Sequence, residues 1–235
     1  GGCVHPEHTH CRFLVSDGAK ALVKLALSGL GCPSLPDVFH LLQALSKSIG
    51  SALARQQAHL QQQQQALGAK MQALCSLEDT SAGAVQLRTL QAQQQQLETD
   101  QQAYQHSVHA LSQSIHPFHL DTGDSQLGLE LPTRLRAPLS TLERLSHTYA
   151  PTQSQAALQR WQRSIPALSA MLHAWWQWVL HSLAAQTDDP VIQTWVLTAL
   201  LPWVYWHQQT QKTRHPQLKQ GYQQAAQQAQ ARFLA

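Results

Sequence analysis

The chain has 235 residues, of which 37 are Gln and only 12% are charged, and its formal net charge is +3 with a sequence pI near 8.8. That length is enough to bury a full core, while a mildly basic balance without a dense Lys/Arg block gives weak grounds for nucleic-acid binding on charge alone. No apolar run is long enough to span a bilayer, and the first residues lack the charged and apolar regions of a signal peptide. The expectation is therefore a soluble cytoplasmic protein with no membrane partner. Cys3, Cys11, Cys32 and Cys75 are too few and too unevenly spaced for a disulfide framework, and reduced thiols are the simplest reading.

Residues 1–11 hold Cys3, His5, His8, His10 and Cys11. These are competent zinc ligand types, but no second pair follows across a loop, and a solvated lead-in to a strand explains them better. Phe13, Leu14 and Val15 form a short apolar run that fits a buried strand. Ser16-Asp17-Gly18 then ends the strand in a turn, and Ala19, Leu22, Val23, Ala26, Leu27 and Leu30 recur at helical spacing. Asp17 thus sits at the carboxyl end of a strand, where open α/β sheets place ligands and chemistry. Asp37 and His40 open the next helix; an Asp there is first of all an N-cap. A lone strand makes no stable sheet, so its companions are expected elsewhere.

From Val38 the pattern is helical. Leu53, Leu60, Leu67 and Leu74 recur every seven residues, with Ile49 and Met71 on the adjacent seam. The stretch from Ser76 to Gly83 breaks the pattern, which resumes with Leu90, Leu97, Tyr104 and Leu111, and with Leu87, Val108 and Ile115 on the other seam. This predicts an antiparallel coiled-coil hairpin over residues 43–116 with arms of roughly 45–55 Å. Gln56, Gln63, Gln94 and Gln101 on the seam weaken each arm, so a partner is expected. The Gln runs could be read as low-complexity tract, but Gln forms helices well and the Leu spacing continues through them.

Residues 117–150 read as an irregular crossover and a short helix. His116, His119, Asp121 and Asp124 are metal-capable in principle, although turn chemistry accounts for the two carboxylates. Residues 151–235 form a Trp-rich helical segment. Its first run, from Leu158 through Trp161, Leu172 and Val179 to Leu183, contains Pro166, which predicts a kink or a break into two helices. A second run from Val191 to Trp206 contains Pro202, and a weaker amphipathic helix follows through Tyr222 and Phe233. Seven Trp between residues 161 and 206 fit a helical core better than base stacking or a membrane surface, because few cations accompany them. Lys212, Arg214, His215 and Lys219 are the densest positive stretch, equally suited to phosphates and to a solvated helix end.

The motifs Phe13-Leu-Val-Ser-Asp-Gly-Ala-Lys-Ala-Leu and Pro36-Asp-Val-Phe-His resemble the middle of the RNase H-like catalytic domain of DDE-type bacterial insertion-sequence transposases, in a cyanobacterial-type group. The segment from Trp161 to Trp178 and Leu200-Leu-Pro-Trp-Val-Tyr-Trp206 look similar to that group's helical insertion. The resemblance implies a mainly α chain with a small, incomplete RNase H-like α/β piece over residues 1–42. It implies Asp17 as a catalytic, metal-holding carboxylate, with Asp37 and His40 in support and Lys20, Lys24, Lys212, Arg214 and Lys219 as DNA contacts. The chemistry implied is two-Mg²⁺ phosphoryl transfer on insertion-sequence ends, since hard Mg²⁺ prefers oxygen ligands. The first carboxylate of that triad has no counterpart here, and no Asp or Glu follows Asp189. The chain is thus expected to be an internal fragment, inactive alone. The competing reading is a helical self-association or interaction protein, with Asp17 a turn residue.

Overall fold

The structure, a computed structural model, describes residues 14–16, 21, 24–29, 34–74 and 81–234. It is mainly α-helical. Strands β1 (Leu14–Ser16) and β2 (Ser34–Pro36) pair in parallel, with Leu14 opposite Ser34, Val15 opposite Leu35 and Ser16 opposite Pro36. Helix α1 (Val38–Leu45) passes through a π-helical turn, Ser46–Gly50, into α2 (Ser51–Leu74), and α3 (Ser81–Ser114) follows. A 3₁₀ turn at Gly128–Glu130 leads into α4 (Leu131–Tyr149) and then α5 (Gln155–Ala184). Helix α6 (Pro190–Trp195) continues through a π-helical turn, Val196–Leu200, into α7 (Leu201–Lys212), and α8 (Pro216–Leu234) ends the chain. Among the described residues no helix is long and apolar enough to cross a membrane.

The chain divides into two compact units, each discontinuous in sequence. One comprises Val38–Leu111 and Arg136–Arg163. In it the Leu heptads act as the spacing predicts: Leu53, Leu60 and Leu67 on α2 and Leu90 and Leu97 on α3 are buried. Gln64 Nε2 donates to Gln94 Oε1 at 2.6 Å, and Gln101 Nε2 donates to Gln57 Oε1 at 2.9 Å. Later residues of α2 thus face earlier residues of α3, so the two helices run antiparallel. The glutamines of α2 that bond across to α3 are Gln57, itself exposed, and the half-buried Gln64, one residue beyond Gln56 and Gln63. A seam of alternating three- and four-residue steps leaves that choice open in sequence, and the partner helix decides it.

Two features fix this unit beyond the heptads. Gly50 lies against Tyr104, where an added Cβ would come within 2.9 Å of the phenol oxygen. Asp100, buried on α3, accepts from Arg144 Nη2 at 2.9 Å and Tyr149 Oη at 2.8 Å, both on α4, and from Gln96 Nε2 at 3.2 Å. Burial pushes its carboxyl pKa up, but the hydrogen bonds from Tyr149, Gln96 and Arg144 prevail and hold it below the ordinary value.

The other unit comprises Gly1–Asp37, Ser112–Leu135 and Ser164–Ala235. Its core gathers Phe118, Leu172, Trp176, Val179, Trp206, Tyr222, Ala225 and Ala226. Helix α5 runs unbroken through Pro166, whose ring is exposed, so the carbonyl it leaves unbonded one turn earlier can be met by water. Pro202 is accommodated differently. It directly follows the π-helical turn at Val196–Leu200, within a helical run that is continuous from Pro190 to Lys212. The segment ahead of α4 is tightly bonded. His119 N donates to Asp124 O at 2.8 Å, Gly123 turns at φ +69°, and Gln126 Nε2 donates to Phe118 O at 3.0 Å and to Gln113 O at 3.2 Å. Gln126 O in turn accepts from the Trp176 indole at 2.8 Å.

The seven Trp divide. Trp161, Trp176 and Trp206 are buried and Trp175 and Trp203 partly so, whereas Trp178 and Trp195 are exposed. The apolar period carries the first five into packed positions and leaves the other two on solvent-facing turns.

Candidate functional site

The carboxyl ends of the parallel pair are the first candidate. Ser16 and Pro36 are register partners, and the next residues in sequence are Asp17 and Asp37. Asp37 is partly buried and immediately precedes α1, the place of an N-cap, and His40 is exposed on α1 with its ring edge-on to Phe39 at 5.6 Å. Asp17 and Lys20 lie outside the described residues, as do Cys3, His5, His8, His10 and Cys11. Lys24 is exposed. Among the described residues no group of three or more His, Cys, Asp or Glu side chains could hold a metal ion. Those residues therefore do not make up a two-Mg²⁺ centre by themselves.

The metal-capable groups after α3 are spent on structure. His119 Nδ1 accepts from the backbone N–H groups of Asp121 and Thr122 at 3.3 and 3.4 Å, which makes it a turn residue. His116 is the more informative. Its Nδ1 lies 2.6 Å from Tyr205 Oη and its Nε2 lies 3.3 Å from Tyr222 Oη, and its ring lies 5.1 Å from that of Trp206. A neutral imidazole has one donor and one acceptor nitrogen, so one tyrosine accepts from the ring while the other donates to it. Burial lowers the His116 pKa to about 4, and it raises the Tyr205 hydroxyl, with Tyr222 adding to the rise; Tyr222 is raised by burial as well. Both nitrogens are occupied, so no lone pair is left for a metal. At neutral pH this group moves no proton; it pins the end of α3 to α7 and α8. Sequence reasoning did not find this trio, because His116 pairs with residues 89 and 106 positions away. The only local trace is the aromatic density of α7.

The C-terminal cations form the second candidate. Lys212 ends α7, Arg214 and His215 lie in the link, and Lys219 is in the first turns of α8; all four are exposed. None of them is ion-paired to a carboxylate among the described residues.

A family of unknown function, DUF6399, matches residues 196–235. The match runs from the π-helical turn through α7 and α8, and so includes Tyr205, Trp206, Tyr222 and the cations of the link. No curated protein and no solved structure matches the chain.

Proposed function

We propose that this chain is a segment of a DNA strand-transfer enzyme of the DDE transposase type, acting in the cytoplasm on insertion-sequence ends. One observation carries the reading: β1 and β2 are parallel, with Ser16 opposite Pro36, and each is followed in sequence by Asp. Parallel neighbours require a crossover connection rather than a hairpin, and the carboxyl ends of such strands are where α/β proteins gather ligands. An RNase H-like sheet uses that edge for its carboxylates. Asp17 would be one metal-holding acid, with Asp37 and His40 in support. Mg²⁺, bound with carboxylates from flanking segments, would supply charge neutralisation at the transferring phosphate. This chain's own part would be to present one acid and to carry the helical insertion.

The test is metal-dependent cleavage of labelled DNA by the parent protein that contains these residues. Asp17→Ala is expected to abolish cleavage while leaving circular dichroism unchanged, and cleavage at the parent rate would overturn the assignment.

A second reading, a helical self-association module without catalysis, is favoured by a gap of about 470 Å³ between α2 and α3 lined by Leu67, Lys70, Gln86 and Leu90, among others. It has room for side chains of a second copy rather than for a whole helix, one turn of which occupies about 400 Å³. Sedimentation showing a concentration-dependent dimer that is indifferent to EDTA would support that reading, and a monomer at all concentrations would remove it.

A further inference from the structure

Resting on the reading of the chain as a self-associating module, we infer that two copies pair through the outer face of α6 and the π-helical turn after it, antiparallel about a twofold axis, rather than through the hairpin. Helix α6 is fixed in place, yet none of its six residues is buried. Pro190 opens it, and Asp189 caps it, its Oδ1 accepting from Val191 N at 2.8 Å and Ile192 N at 3.4 Å. On this held turn Val191 is 74% exposed, Ile192 46% and Trp195 39%. Val191, Thr194, Trp195 and Thr198 fall at steps of three and four along one stripe, and with Pro190 they bound an open groove of about 450 Å³. The threonines ask for no polar partner. Thr194 Oγ1 donates to Pro190 O at 2.7 Å and Thr198 Oγ1 donates to Thr194 O at 2.8 Å, so both hydroxyl protons are spent within the helix. Thr198 also lies in the π-helical turn, a rare geometry that recurs at functional sites.

Charge and area identify the occupant. Residues 190–211 carry no Asp, Glu, Lys or Arg, so a partner that docks through charged side chains finds no counter-charge there. A membrane surface is met by an apolar face with cations beside it. The charges next to α6 in sequence are instead Asp188 and Asp189, which anionic headgroups repel. A second copy brings the same uncharged stripe. Laid parallel, two stripes would set indole against indole and both acidic ends together. Turned antiparallel about Thr194 and Trp195, each indole meets the smaller Thr194 of the other copy, each Val191 meets the other copy's Thr198, and the acidic ends lie apart. With full areas of roughly 150–250 Å² for such side chains, Val191, Ile192 and Trp195 expose about 300 Å² per copy. Two copies thus hide about 600 Å² of apolar surface. Since a specific interface is a little over half apolar, the whole contact amounts to about 1,000–1,200 Å², the low end for a specific dimer, and its dissociation constant belongs in the micromolar range.

Sedimentation velocity of the intact chain in EDTA, between about 2 and 200 µM, should show a monomer–dimer equilibrium. Val191→Glu places an acid in the first turn of a capped helix, where the helix dipole favours it, and should weaken the dimer at least about tenfold while circular dichroism stays unchanged. Thr198→Lys should weaken it similarly. An equimolar mixture of these two variants should recover association to within a few-fold of the parent, because the introduced charges oppose each other across one half of an antiparallel pair. Ala66→Glu/Thr89→Glu, in the gap between α2 and α3, should dimerise as the parent does. A parent that stays monomeric throughout removes the self-association reading and this surface with it. Dimerisation that Val191→Glu keeps, or that the hairpin variant loses as fully, leaves that reading standing and overturns only this surface. A mixture that associates no better than its components overturns the antiparallel pairing. Flotation of the parent, but not of Val191→Glu, with phosphatidylcholine–phosphatidylserine vesicles overturns it in favour of a lipid surface.

Discussion

His116 makes a prediction that can be worked through in numbers. Its folded pKa of about 4 lies below the ordinary histidine value, so the unfolded chain binds more protons between those two values. Stability must therefore fall as pH drops below about 6.5 and level off near pH 4. Integrated between pH 7 and pH 5, the linkage amounts to about 2 kcal/mol; partial solvent access to the ring makes this an upper bound. Urea unfolding followed by tryptophan fluorescence at pH 7, 6 and 5 reads it directly, because Trp206 is 5.1 Å from the ring. His116→Gln keeps a donor and an acceptor but cannot charge. It should cost about 1–3 kcal/mol at pH 7, since an amide cannot reach both hydroxyls as the imidazole does, and it should remove His116's share of the acid slope. All other residues are common to both proteins, so the difference between the two curves isolates this one. An identical pH slope in the variant would refute the buried neutral imidazole.

Two further substitutions probe the other fixed points. Asp100→Asn keeps the shape but leaves Arg144 and Tyr149 facing an amide, and should destabilise by about 1–3 kcal/mol at pH 7 in thermal unfolding. Because the Asp100 pKa is lowered, its contribution is complete above the unfolded value and lost as pH falls through the folded one, so the gap between variant and parent should narrow below about pH 4. Gly128→Ala would drive a Cβ into the Ser169 carbonyl and the His173 amide of α5, backbone atoms that cannot swing aside, at a cost of about 1–3 kcal/mol or more. Gly68→Ala is the control: nothing lies within 4 Å of its Cβ, so a gain of about 0.5–1 kcal/mol is expected from helix propensity.

What was legible in the sequence follows its local periodicities. The seven-residue Leu spacing over α2 and α3 and the helix-forming Gln tracts act within a few residues, and the helical character of the chain follows from them; the apolar run at Phe13–Val15 marks a strand over Leu14–Ser16, but Val15 is exposed rather than buried. Three kinds of information were not local. The seam frame at Gln57 and Gln64 depends on which face of α3 arrives opposite. The continuity of α5 through Pro166, where a kink or a break is expected, depends on that proline facing water. The His116 trio joins side chains brought together only by the packing of α7 and α8. At the strand edge, register places Asp37 beside the end of β1, a relation that neither strand carries alone.

The buried polar groups explain how so repetitive a chain settles on one arrangement. Leu heptads are nearly degenerate: sliding α2 against α3 by seven residues still buries Leu against Leu, and the glutamines on the outer faces scarcely register the change. Asp100 is not degenerate. Were α3 to slide by one heptad against α4, it would lose Arg144 and Tyr149 together and remain a buried, unpaired charge, which costs several kcal/mol where a displaced Leu costs little. His116 imposes the same discrimination on its own unit, because only one placement of α7 and α8 brings Tyr205 and Tyr222 to opposite nitrogens of one ring. With only 12% of the chain charged, such groups are few, and each consequently carries a large share of the specificity. Replacing Asp100 and its partners with apolar residues of equal volume could therefore leave the unit as stable as before and less certain of its register.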